Sequence, residues 1–295
     1  MTVKSVKESD ESDDKFDPSF TVTLPGSIYH AMKLLDSPLQ ATTIPQEALA
    51  QLFSRYMSGV EKKQKQAMLA LLINSFISHP SSVTVACISE VLGRNIEVYH
   101  MAVLNHFSQP FLSVLFDFVT SLLASTASCS QTNSTHINTT IPLPPYPPLT
   151  KGLTLLAHFC RVPMPSYNHF KDIQSMAEKL ASEGSNHSED VIPVPEPFIH
   201  HPADQQRLLD ICVGILQSKQ EDEKIVNCTL SLLASVTLAN RQLAVQFLQK
   251  HHGISLLLQA LLFKDITNQF PICVNILTNA LGKEVQDIAL CTTIK

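Results

Sequence analysis

A chain of 295 residues that is 44% apolar and 16% charged has enough apolar surface to fold, and length alone would suggest about two ordinary domains. The eight glycines are never closer together than 29 residues, so neither a P-loop nor a dinucleotide fingerprint can be built. Residues 1–17 hold three Lys against six acids, a net −3 of the chain's −5, and the near-neutral remainder offers no basic footprint for nucleic acid.

The acidic Ser/Asp/Glu leader, residues 1–18, has almost nothing to bury and is expected to be disordered. Within it Ser9-Asp10-Glu11-Ser12-Asp13-Asp14 sets Ser9 and Ser12 before acids, the context acidophilic kinases accept. Phosphate on either would add about −1.5 to −2 charges. A merely solubilising leader is the competing reading of the same residues.

From about Pro45 the texture changes. Leu49, Leu52, Phe53 and Tyr56 fall at helical spacing within Gln46–Tyr56, and Ala67, Leu71, Leu72 and Phe76 continue the stripe in a second helix that Pro80 ends. Val83–Leu92 is a third helical segment, with Cys87, Val91 and Leu92 on one side and Gly93 at its end. Phe111–Leu123 is another, rich in Phe and Leu. Residues 125–150, a Ser/Thr/Asn stretch running into five prolines, and residues 183–202, with Pro193, Pro195, Pro197 and Pro202, read as loop insertions. Beyond them Ala203–Gln217, Lys224–Leu238, Arg241–His251, Ile254–Phe263 and Pro271–Leu281 read as successive short helices, with Gly253 and Gly282 as C-caps. Val285–Ile294 is a short candidate cap for the end of the array. Strand alternation persists nowhere, so the fold is expected to be all-α.

Four blocks share two adjacent aliphatics, a spacer and an apolar or small residue near position five. They are Leu71–Phe76, Leu155–Cys160, Leu232–Thr237 and Ile276–Leu281. Their starts lie 84, 77 and 44 residues apart; the last step matches one armadillo or HEAT unit of about 40–47 residues and the first matches two. The expected architecture is therefore an armadillo/HEAT-like α-solenoid over residues 45–291, whose loops leave from one edge without breaking the stack.

A search for chemistry returns little. His200-His201 and His251-His252 lack a His or Cys four residues on, which leaves Asp204 as a single further donor, and helix-end or solvated roles are favoured over a metal. Glu221-Asp222-Glu223 precede a helix and suit its N-terminal turn better than paired acid–base work. Lys62-Lys63-Gln64-Lys65 reads as a solvated face. The seven cysteines include no Cys-x-x-Cys, and their odd number and wide spacing indicate reduced core thiols. Sequons at Asn133, Asn138, Asn186 and Asn227 are taken as chance, since no secretory leader precedes them. The longest apolar run, Ala67–Ile73, is far below the roughly 18 residues of a membrane span. The residues thus indicate a soluble, intracellular, non-enzymatic chain with no cofactor, no metal and no catalytic group.

Val98-Tyr99, Phe118-Val119, Gly152-Leu153-Thr154-Leu155-Leu156-Ala157-His158-Phe159-Cys160-Arg161 and Leu230-Ser231-Leu232-Leu233-Ala234-Ser235-Val236-Thr237-Leu238 occur in that order. Over about residues 80–265 the sequence resembles the N-terminal armadillo-like region of the cancerous inhibitor of protein phosphatase 2A family. The resemblance implies a cytoplasmic scaffold that engages regulatory subunits of protein phosphatase 2A and restrains dephosphorylation of growth-promoting substrates. It carries no binding residue across. An armadillo-type adaptor of an unrelated ciliary or trafficking complex is the alternative, and an enzyme without recognisable motifs ranks below both. Family members continue into a dimerisation segment and a long coiled coil. This sequence reaches Lys295 without heptads and looks like a fragment, an incomplete gene model or a divergent short form, which leaves homodimerisation open. The two insertions also depart from the family pattern.

Overall fold

The computed structural model describes residues 23–35, 46–92, 98–131, 147–161, 196–218, 222–262 and 266–281. Among them there is no strand, and twelve helices pack against one another. They are α1 (Gly26–Leu35), α2 (Gln46–Ser58), α3 (Lys62–Ser78), α4 (Ser82–Leu92), α5 (Val98–His106), α6 (Ser108–Gln131), α7 (Pro147–Phe159), α8 (Pro202–Gln217), α9 (Glu223–Ala239), α10 (Arg241–Lys250), α11 (Gly253–Leu261) and α12 (Ile266–Leu281).

The helices are not equivalent. α2 packs on α4, α4 on α7, α7 on α9 and α9 on α12, giving a row of five in which each interior member lies between two others. The remaining helices flank that row: α3 against α4, α5 and α6, α6 against α7, α8 against α9, and α10 against α9 and α12. Burial follows position. α4 buries Val83, Thr84, Val85, Ala86, Cys87, Ile88, Ser89 and Leu92, and α9 buries nine residues spread around its circumference, whereas α10 at the flank buries only Leu243, Ala244 and Phe247. A helix with neighbours on two sides needs two apolar faces, while a flanking helix needs one stripe. Three buried hydroxyls of α9 are satisfied locally. Thr229 Oγ1 donates to the Ile225 carbonyl at 2.7 Å, Ser235 Oγ to Ser231 at 2.9 Å and Thr237 Oγ1 to Ala234 at 3.1 Å.

Aromatic packing joins the two halves of the row. Phe111 lies 5.9 Å from Phe76, 5.8 Å from Phe159 and 6.5 Å from Phe198 (centroid to centroid), and Phe76 also meets Phe118 at 5.7 Å. The cluster thereby ties α3, α6 and α7 to the short extended stretch before α8. That stretch is fixed at the end of α7: Ile199 N–H donates to the Phe159 carbonyl at 2.9 Å, the Phe159 and Phe198 rings lie 5.0 Å apart, and Gln205 Nε2 donates to the Ile199 carbonyl at 3.3 Å. The described residues on either side of 162–195 consequently lie together.

Several expectations need correction. The folded body begins before residue 45, because α1 buries Ile28, Ala31, Met32 and Leu35 at i, i+3, i+4, i+7 and packs on α2. On α2 the buried stripe is Leu49, Ala50, Phe53 and Met57, with Leu52 exposed. α5 was not expected at all; it turns by 83° into α6 at Phe107, and Pro110 sits in the first turn of α6, where its missing N–H costs nothing. The segment 125–150 is helical at both edges. α6 continues to Gln131, with Ser121 and Ser125 hydroxyls bonded to carbonyls four residues back, and α7 opens on Pro147 and Pro148, positions that need no N–H partner. At the second insertion Pro202 likewise opens α8. α12 starts at Ile266 and runs through Pro271. Gly253 is not a C-cap: His252 takes the left-handed conformation (φ 54°), and Gly253 begins α11 under the Phe247 ring.

The self-similar blocks divide as well. Those on α7, α9 and α12 lie in the row, but Leu71–Phe76 lies on the flanking α3. The 84-residue step is therefore not two steps along the row. Helical stacking compatible with an α-solenoid is present.

Candidate protein-binding face along the helix row

Polar contacts link successive row helices. Lys151 of α7 pairs with Glu90 of α4 at 3.7 Å, both side chains about two-fifths exposed. Thr154 Oγ1 of α7 meets Cys228 Sγ of α9 at 3.6 Å, and Arg161 Nε, just past α7, donates to Ser235 Oγ at 3.5 Å. Asn279 Nδ2 of α12 donates to the Ala234 carbonyl at 3.3 Å and to Thr237 Oγ1 at 3.0 Å. The two α7–α9 pairs are both separated by 74 residues, an offset that stays constant only if the helices run in the same direction. The last turns of α9 and α12 also lie side by side, and Arg241 at the start of α10 reaches the Ala280 and Leu281 carbonyls. A guanidinium there satisfies the free carbonyls at a helix C-terminus.

On α7 the residues Lys151, Thr154 and His158 recur at i, i+3, i+7, one edge of a helix, and Arg161 follows just past its end; all are half-buried or exposed. α9 contributes Lys224, Asn227 and Ser231 at the matching spacing. The result is a polar, predominantly cationic strip over the middle of the row, with Glu90 as its acid. Such a strip places polar and cationic side chains along the surface of successive helices. A second ion pair, Arg207–Asp117 at 2.7 Å, joins α8 to α6 beside the Phe116 ring, outside the strip; as an exposed pair it adds little to stability.

The residues singled out in the sequence fall elsewhere. Ser9 and Ser12 lie outside the described residues, as do Glu221, Gly282, Val285–Ile294, Cys291 and three of the four sequons. Asn227 of the remaining sequon sits within α9 with its Oδ1 buried and without a hydrogen-bond partner. Asp222 caps α9, its carboxylate accepting from Lys224 N–H at 2.8 Å and Ile225 N–H at 3.3 Å, as the acidic run implied. His200 Nδ1 lies 3.2 Å from the Pro197 carbonyl, His201 precedes α8, and His251 ends α10. Among the described residues no three His, Cys, Asp or Glu side chains converge in a way that could hold a metal ion. Lys62, Lys63 and Lys65 stand in the first turn of α3.

Five cysteines have described side chains and none of these is in a disulfide; Cys87, Cys160, Cys212 and Cys273 are buried and Cys228 is half-buried. Burial pushes the Cys87 and Cys160 thiols up to about 12 and Cys273 up to about 11, and raises Cys212 and Cys228 as well. Thiols held protonated in this way are poor nucleophiles. Among the described residues no single helix is long and apolar enough to cross a membrane.

The strip itself was not legible in the sequence. Its signal, the i, i+3, i+7 polar edge on α7, is present there, but it acquires meaning only once α9 is known to lie beside it.

The chain matches no protein-family model, no curated protein and no solved structure. The family resemblance rests on the quoted residues alone, most of which belong to α7 and α9.

Proposed function

We propose that this chain is a non-enzymatic protein-binding scaffold that receives its partner along the α7–α9 strip, and that the partner is a regulatory subunit of protein phosphatase 2A, whose action it restrains in the cytoplasm. The single observation that carries the scaffold reading is the row: helices each covered by the next, α7 and α9 running in one direction, with a polar strip over α4, α7 and α9. An array of this kind offers contour in place of a reactive pocket, and an extended segment crossing successive helices gains one set of contacts per helix. The cationic character of the strip favours a segment carrying acidic groups. The phosphatase subunit enters through the sequence resemblance, which is concentrated on the two helices that form the strip.

Pulldown of purified phosphatase 2A regulatory subunits with the full chain tests both levels. The wild type is expected to recover a subunit, and Arg161→Glu with Lys224→Glu, both at exposed positions, to weaken recovery roughly tenfold, equivalent to about 1.4 kcal/mol. Failure of the wild type to recover any subunit removes the phosphatase assignment. Recovery that the double variant leaves unchanged removes the strip.

A further inference from the structure

Two buried stripes end on polar residues. On α12 the side chains of Cys273, Ile276 and Ala280 are buried, and Gln269 belongs to the same face, the four falling at i, i+4, i+7, i+11. Gln269 is fully buried, yet neither its Nε2 nor its Oε1 has a hydrogen-bond partner in the protein. On α10 Ala244 and Phe247 are buried, and His251, the residue that ends the helix, follows them at i, i+3, i+7. Its Nε2 is buried and likewise unpartnered.

The two stripes end at one level. Arg241 opens α10 and bonds to the Ala280 and Leu281 carbonyls, so the start of α10 meets the end of α12, on which it packs. Ten residues carry α10 from Arg241 to His251 and ten carry α12 back from Ala280 to Phe270, about 15 Å in each case, which brings His251 level with Gln269. Buried polar atoms are ordinarily satisfied by protein groups or by ordered water, because an unmet one forfeits its hydration. An aliphatic residue at 269 would simply complete the apolar face; a glutamine there calls for a polar occupant. We propose that the α10–α12 junction is an internal hydration site in which ordered water bridges the Gln269 amide to His251 Nε2. Buried water is held by about two to four polar atoms, and this junction supplies three. Water both donates and accepts, so it serves the amide oxygen, the amide nitrogen and either tautomer of the imidazole. The bridge ties the last described row helix to its flank beside the left-handed turn at His252. The inference is independent of which partner occupies the polar strip.

Water-selective NMR on the full chain tests it. The carbon-bound ring protons beside His251 Nε2 and the Gln269 side-chain amide should show NOE and ROE contacts to water of opposite sign, the signature of water held far longer than surface hydration. Gln269→Leu should erase the contact at His251, and His251→Phe the contact at Gln269, with hydrogen-exchange protection of α8 and α9 showing that each variant is folded. Wild-type spectra alone can overturn the proposal, either by lacking a long-lived water contact at both residues or by showing a scalar coupling between Gln269 Nε2 and His251 Nε2, which would mean that the side chains bond directly. A His251 contact that survives Gln269→Leu also overturns it, since the water would then be held without the amide.

Discussion

His252 and Gly253 occupy each other's expected roles, and the exchange has measurable consequences. A Cβ on Gly253 would lie 2.6 Å from Phe247 Cε1 and 2.9 Å from the Phe247 carbonyl, and Phe247 is fully buried and has nowhere to move. Gly253→Ala should therefore lose about 1–3 kcal/mol in urea unfolding, the ordinary cost of overpacking. His252→Gly should instead gain several tenths of a kcal/mol, since relief of roughly 1 kcal/mol at φ 54° exceeds about 0.5 kcal/mol of added freedom in the unfolded chain. His100 on α5 offers a second residue-level test. Burial, reinforced by the Lys65 charge, lowers it from 6.5 to about 4, so the unfolded chain takes up the proton first as pH falls. Stability should be intact above about pH 6.5 and decline between there and about pH 4 by roughly 3 kcal/mol. Denaturant midpoints across that range should flatten in His100→Leu.

Among elements, legibility followed neighbours. α2, α4, α8, α9 and α10 emerge from sequence spacing close to their observed limits because caps and prolines bound them, as Asp222 does α9 and Pro202 does α8. Asp222→Ala should cost about 1 kcal/mol in the same unfolding assay by stranding the Lys224 and Ile225 N–H groups. α5 and the extension of α6 escaped notice for the opposite reason: one has no polar edge to set its period, and the other ends in serines that ordinarily mark loops but here bond back to their own helix. The blocks on α3 and α7 look alike because both are Leu-rich, yet one helix flanks and the other stacks. Local spacing records how many faces a helix buries, not which helix covers them. For the same reason the α7–α9 strip, built from residues 74 apart, could not be assembled from sequence.

At the scale of the whole molecule, a row in which each helix meets only its neighbours has a weak point wherever the chain makes a long excursion between row members. The Phe76–Phe111–Phe159–Phe198 cluster sits at such a point, between α4 and α9. Phe111→Ala should cost about 3–5 kcal/mol, and differential scanning calorimetry should show one transition becoming two as the halves uncouple. The bond from Ile199 N–H to the Phe159 carbonyl has a different implication. Ile199 and Phe198 meet Phe159 directly, so the described parts on either side of residues 162–195 are held together by contacts that do not need the chain between them. A protease that severs it should yield two polypeptides on a denaturing gel but one particle, with an unchanged sedimentation coefficient, in native buffer.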